Sequence, residues 1–231
     1  TVLASELNTL DNFTGGTIDA SAVTTITGSA SDINIAFASD GITGLGNSAI
    51  TLNDTNINAN VLRALDNNNI GVINASSVTS ITGTSSDFFN LISSNFITGL
   101  GNESITLTEE NANASLLNIV LSNTSGDIDA SAVNQISGSI SEINTIYNSN
   151  KFSGLGNEAI ILDDTSISAS VLNALDNNTG GIINAESVTT INGSTTGIIT
   201  AYGSVGITGL ANEAIKLSDT FIDASALNTL D

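Results

Sequence analysis

The chain has 231 residues, 40% of them hydrophobic, which is enough for a substantial core. It carries 23 carboxylates against three cations, Arg63, Lys151 and Lys216, for a net charge of −20, with no Cys, His, Met, Trp or Pro. That balance excludes a nucleic-acid partner and an anionic membrane surface, which both need basic residues, and it excludes disulfide or thiolate chemistry.

No apolar run approaches the ~20 residues needed to cross a bilayer as a helix. The first residue is Thr and no leader pattern follows, so a mature fragment or an excerpt of a longer protein is expected.

One phrase returns along the chain. "ITGLGNSAITLNDT" from Ile42 recurs from Ile97, Phe152 and Ile207, at the same step each time. Ile18, Ile73, Ile128 and Ile183 align at that step, as do Val23, Val78, Val133 and Val188. Four repeats follow, at about 12–66, 67–121, 122–176 and 177–231, with 1–11 as the tail of a preceding one. "LNTLD" closes at Asp11 and again at Asp231, so both ends fall at one phase of the repeat. A solenoid hides its terminal layers under caps, and neither end reads as one. The ends are therefore expected to self-associate with other copies or to continue a longer covalent array.

Over one period's length, three "I-x-A/G" segments read as short half-buried strands, for example at Ile57, Ile73 and Ile97. A helix follows the first, "NVLRALD", with Val61, Leu62 and Leu65 on one face. Its N-cap is placed at positions 5, 60, 115, 170 and 225, which hold Ser or Asn. Gly16, Gly71, Gly126 and Gly181 precede the second strand, where positive φ is expected. That strand runs into Ser21, Ser76, Ser131 or Glu186 and a stretch such as "SVTSI", helix or turn. A third helix starts at a capping box, Ser29 with Asp32, Thr84 with Asp87, and Ser139 with Glu142; the fourth repeat has Gly197 at the acidic slot.

Crossovers of this length suit parallel neighbouring strands. The fold class is a repeat solenoid, a right-handed mixed α/β coil of short parallel strands with short helices or turns, about three coils per period. The competing fold is a parallel β-helix.

The phrases "LNALDNNTGGIINAESVTTINGS" and "GLGNEAIILDDTSISASVLNALD" resemble tandem repeats of very large cell-surface and secreted proteins of marine cyanobacteria and similar bacteria. The resemblance covers the whole chain and rests on composition and phrase. It implies an extracellular structural array serving adhesion, a surface layer or motility, and it brings no functional residues with it.

Four sets of residues are candidates for chemistry. Asp54, Asp164 and Asp219 recur after the "ITL" phrase, with Glu109 in the second slot, and Asp11, Asp66, Asp176 and Asp231 close the "LNALD" phrase. Such hard oxygen ligands suit calcium, with Asp54 and Asp66 of one period in reach of one ion; turn and cap roles are the alternative. Asp19 and Asp129 project from a strand as a carboxylate pair, but Asn74 and Asn184 take the slot elsewhere, no His is present, and no enzyme is expected. Thr43, Thr98, Ser153 and Thr208 form a row that ice or carbohydrate could meet, in a calcium-dependent adhesin module. The "GLGN" turns supply Gly44, Gly99, Gly154 and Gly209 for close backbone approach. Their Asn47, Asn102, Asn157 and Asn212 are expected to satisfy open backbone groups as a ladder.

Overall fold

The computed structural model describes residues 1–230 and divides the chain into two compact units. The first is Thr1–Thr108 with Ile119–Asp129; the second is Glu109–Asn118 with the residues from Ala130 onward. Each is an α/β unit in which parallel sheets alternate with short helices.

In the first unit one sheet runs Val2–Leu3, Thr25–Gly28, Ala49–Leu52, Ile73–Asn74 and Ile97–Thr98, all parallel. A second contains Asn56–Asn58, Ser80–Gly83, Ser104–Leu107 and Ile128–Asp129. Ile18–Asp19 pairs with Ile42–Thr43. In the second unit one sheet runs Asn111–Asn113, Gln135–Gly138, Ala159–Leu162, Ile183–Asn184 and Ile207–Thr208. Another runs Ser166–Ser168, Thr190–Gly193 and Ala214–Leu217.

The registers show how each period is spent. Val2 faces Ile26 and Ile26 faces Ile50, steps of 24 residues. Seven residues on, Ile57 opens the next sheet, one full period after Val2. The period therefore holds two ladder steps, not the three coils expected. The reason is local: three residues separate Ala49–Leu52 from Asn56–Asn58, with no helix between them to return the chain. The expectation also missed two strands per period, Ser80–Gly83 and Ser104–Leu107 in the second repeat. The "SVT" stretch before the former is a turn.

Two helices per period flank the strands. Those of the first unit are Ala4–Phe13, Ala30–Ala38, Ala59–Asn68 and Ser85–Ile92. Ile140–Tyr147, Ala169–Asn178, Thr195–Gly203 and Ala224–Leu230 belong to the second, and Ala114–Asn123 has residues in each. Ala59, Leu62 and Leu65 recur three and then three residues apart, so one stripe faces inward and is fully buried. Each such leucine contributes about 1.5–3 kcal/mol of burial. The same stripe returns as Ala169, Leu172 and Leu175.

Two local expectations are corrected. The helices begin at Ala4, Ala59, Ala114 and Ala169, so positions 5, 60, 115 and 170 lie inside the first turn. The cap sits two residues earlier: Asn58 accepts from the Asn60 N–H at 2.9 Å and Asn113 from the Ser115 N–H at 3.0 Å. Second, none of Gly16, Gly71, Gly126 and Gly181 lies in the left-handed region. Three of them are glycine for space, since a Cβ on Gly71, Gly126 or Gly181 would collide with the carbonyl oxygen of Ser48, Glu103 or Glu158. The capping boxes at Thr84 and Ser139 form as expected, and Ser194 caps its helix by accepting from Gly197. Among the described residues no helix is long and apolar enough to cross a membrane.

Candidate functional site

The carboxylates singled out in the sequence serve two internal tasks. Asp54 Oδ2 accepts from the Ala30 N–H at 2.7 Å, Asp164 Oδ2 from Ile140 at 2.7 Å and Asp219 Oδ2 from Thr195 at 2.6 Å. Each acceptor lies 24 residues after its donor, one ladder step. Every donor is the first residue of a helix, where an N–H has no partner inside the helix and the dipole favours a negative charge. The Thr195 N–H and then its hydroxyl hold Asp219 below the usual carboxylate range.

The second group accepts hydroxyls. Ser39 donates to Asp11, Ser94 to Asp66 and Ser204 to Asp176, each at 2.6 Å and 28 residues apart. At the end of the second repeat Leu121 replaces the aspartate opposite Ser149. Asp54 and Asp66 are thus committed to different elements. Among the described residues no three Asp or Glu side chains gather to form a cation site. Asp231 lies outside the described residues.

The strand-face candidates are turn caps. Asp19 Oδ1 accepts from Ser21 N–H at 2.9 Å, and Asn74 and Asn184 do the same for Ser76 and Glu186. The Ser21 hydroxyl and N–H hold Asp19 below the usual carboxylate range. In the Thr row, Thr43, Thr98 and Thr208 donate to the carbonyls of Ile18, Ile73 and Ile183, at 3.2 to 3.3 Å.

The "GLGN" turn divides its labour. Gly44, Gly99, Gly154 and Gly209 have φ of 83 to 89°. A Cβ on any of them would meet the backbone of Ser21, Ser76, Ser131 or Glu186 at 2.6 to 2.7 Å. Asn47, Asn102, Asn157 and Asn212 are exposed. The amides that bridge one ladder step to the next lie elsewhere, on the helices. Asn8, Asn118 and Asn173 donate to the carbonyls of Asp32, Glu142 and Gly197, at 2.8 to 3.0 Å. Arg63 takes that slot in the first repeat.

The residue after the turn asparagine is the one that sequence reasoning missed. Glu103 is 0% and Glu158 4% exposed, two buried carboxylates in a chain otherwise rich in exposed ones. Glu158 accepts from the Gly156 N–H at 2.8 Å and from the Tyr147 hydroxyl at 2.7 Å. Tyr202 donates to Glu213 at 2.6 Å in the same way. The phenol slot holds Phe37, Ile92, Tyr147 and Tyr202; the partner slot holds Ser48, Glu103, Glu158 and Glu213. Only the second repeat pairs a carboxylate with no phenol, and there Glu103 Oε1 has no hydrogen-bond partner. Burial and then the Glu158 bond raise the Tyr147 pKa well above its ordinary value, and Tyr202 is pushed up to about 12. A joint recurrence of Tyr and Glu at the repeat period, eleven apart, was the available signal.

No protein-family model matches the chain, and no curated protein or solved structure matches it either.

Proposed function

We propose that this chain is a structural repeat segment of the extracellular surface, a right-handed mixed α/β solenoid that spans distance and presents a repeated face, without catalysis. The observation that carries it is the spending of carboxylates. Asp54, Asp164 and Asp219 hold the same helix start at the same 24-residue offset, in both units. Repeating one internal solution serves length and regularity, whereas a catalytic cleft needs one repeat to depart from the others. The net charge of −20 keeps such surfaces apart laterally and soluble in salty media.

The test is where the protein resides. Antibodies raised against the chain are expected to label intact, unpermeabilised cells that produce it. Labelling only after permeabilisation would contradict an extracellular array.

A further inference from the structure

We propose that the second repeat binds a small phenol, with its ring in the hollow beside Ile92 and its hydroxyl donating to Glu103 Oε1. The proposal goes beyond the array reading above and stands independently of it.

The chain itself shows the bound form. In the third repeat the Tyr147 hydroxyl donates to Glu158 at 2.7 Å, and in the fourth Tyr202 donates to Glu213 at 2.6 Å. Ile92 precedes Glu103 by the same eleven residues. The glutamates also share a backbone donor: Gly101 donates to Glu103 Oε2 at 2.8 Å, as Gly156 does to Glu158 Oε2 at 2.8 Å. Glu103 and Glu158 are thus held alike, but Glu103 Oε1 is buried with no hydrogen-bond partner. Burying such an oxygen without a donor is costly, and a donor brought to it makes a charge-assisted bond. The first repeat has no such deficit, because Ser48 stands at the carboxylate slot and donates to the Val23 carbonyl at 2.8 Å.

The second repeat lacks the ring as well as the donor. Its Ile92 stands where Phe37, Tyr147 and Tyr202 stand elsewhere. A hollow of about 210 Å³ adjoins it, lined by Phe88, Leu91 and Ile92 of the helix Ser85–Ile92 and by Gly99, Gly101 and Asn123. An apolar cavity of roughly 150 Å³ is enough for a benzene ring. Phe88 and Leu91 are buried and supply an apolar wall, while Gly99, Gly101 and Asn123 are exposed and open the hollow to solvent. Glu103 Oε1 is itself out of contact with solvent, so a ligand reaches it only when Ile92 gives way. Ile92 is half-buried and is the last residue of its helix, so its side chain has room to turn outward.

The same features select the ligand class. An anion would meet the carboxylate as a like charge, and an ammonium would lose more hydration than one carboxylate oxygen returns. A neutral ring carrying one hydroxyl covers the apolar wall and supplies the single missing proton.

Nitrogen-15 NMR titration of the full chain with p-cresol, the tyrosine side chain without its backbone, tests this. The Gly101 N–H, bonded to Glu103, is the reporter. Its signal is expected to shift and saturate with p-cresol. Toluene, the same ring without the hydroxyl, is expected to bind roughly tenfold more weakly. Ile92→Tyr places a tethered phenol in the site and is expected to abolish p-cresol binding, with circular dichroism checking that the variant is folded. A Gly101 signal unmoved up to the solubility limit of p-cresol would overturn the proposal. So would equal affinity for toluene, or undiminished binding to Ile92→Tyr. None of these results touches the array reading, which cell-surface labelling tests independently.

Discussion

Gly44→Ala is expected to lower the unfolding free energy by about 3 kcal/mol, whereas Gly46→Ala, two residues on in the same "GLGN" turn, is expected to change it by less than about 1 kcal/mol. Gly44 has φ of 89°, a left-handed conformation that costs an L side chain about 1–2 kcal/mol. Its Cβ would also stand 2.6 Å from the Ser21 backbone nitrogen, a contact that no rotamer change relieves. Forcing the Ser21 turn away adds about 1–3 kcal/mol of overpacking. A Cβ on Gly46 meets nothing within 4 Å. Urea midpoints of the two variants, compared at equal m-values, check the contrast. Equal midpoints would mean that the Gly44 turn does not press against the Ser21 backbone.

Tyr147→Phe is expected to cost about 1–3 kcal/mol at neutral pH, because a buried acceptor loses its donor. Glu158 keeps its backbone bond from Gly156, which limits the loss. The converse substitution, Ile92→Tyr, offers a phenol to Glu103 and is expected to gain about 1 kcal/mol. A space of about 210 Å³ lies beside Ile92 and Gly101 to receive the ring. The pH dependence follows from the sign of the shift. The folded-state pKa of Tyr147 lies above its ordinary value of 10.0, so the unfolded chain releases that proton first. The contribution is complete below pH 10 and is lost as pH rises from there toward the folded value. Tyr202, less buried, adds a loss of the same sign between 10.0 and about 12. Wild type should therefore weaken more steeply than Tyr147→Phe above pH 10. Parallel curves would show that the phenol is not held by Glu158.

Much of the architecture was legible because it is local. The strands at Ile57, Ile73 and Ile97 and the capping boxes at Thr84 and Ser139 are all stated by residues within a few positions of one another. Ser80–Gly83 was not, because its Ser, Thr and Gly resemble a turn and its single Ile81 carries little pattern alone. The coil count went wrong because Ile57 was given a coil of its own, although no helix returns the chain between Ala49–Leu52 and Asn56–Asn58. The roles of the carboxylates depend on that count. Asp54 reaches Ala30 and Asp66 reaches Ser94 only when the chain returns after 24 or 28 residues. Neither offset is visible in the repeat period itself. Aspartates that read as open ligands are therefore bonded across ladder steps. Glu103 and Glu158 were hidden for a different reason: a glutamate beside an exposed asparagine in a loop gives no hint of burial.

The proposal that this chain spans distance as a solenoid requires each repeat to add the same increment of length, and X-ray scattering on a lengthened chain tests it most directly. A second copy of residues 122–176 inserted after Asp176 is expected to extend the longest dimension by ~10 Å, two ladder steps at ~4.8 Å, with the cross-section unchanged. A particle that instead grows in all directions, its cross-section widening with the added period, would contradict the account.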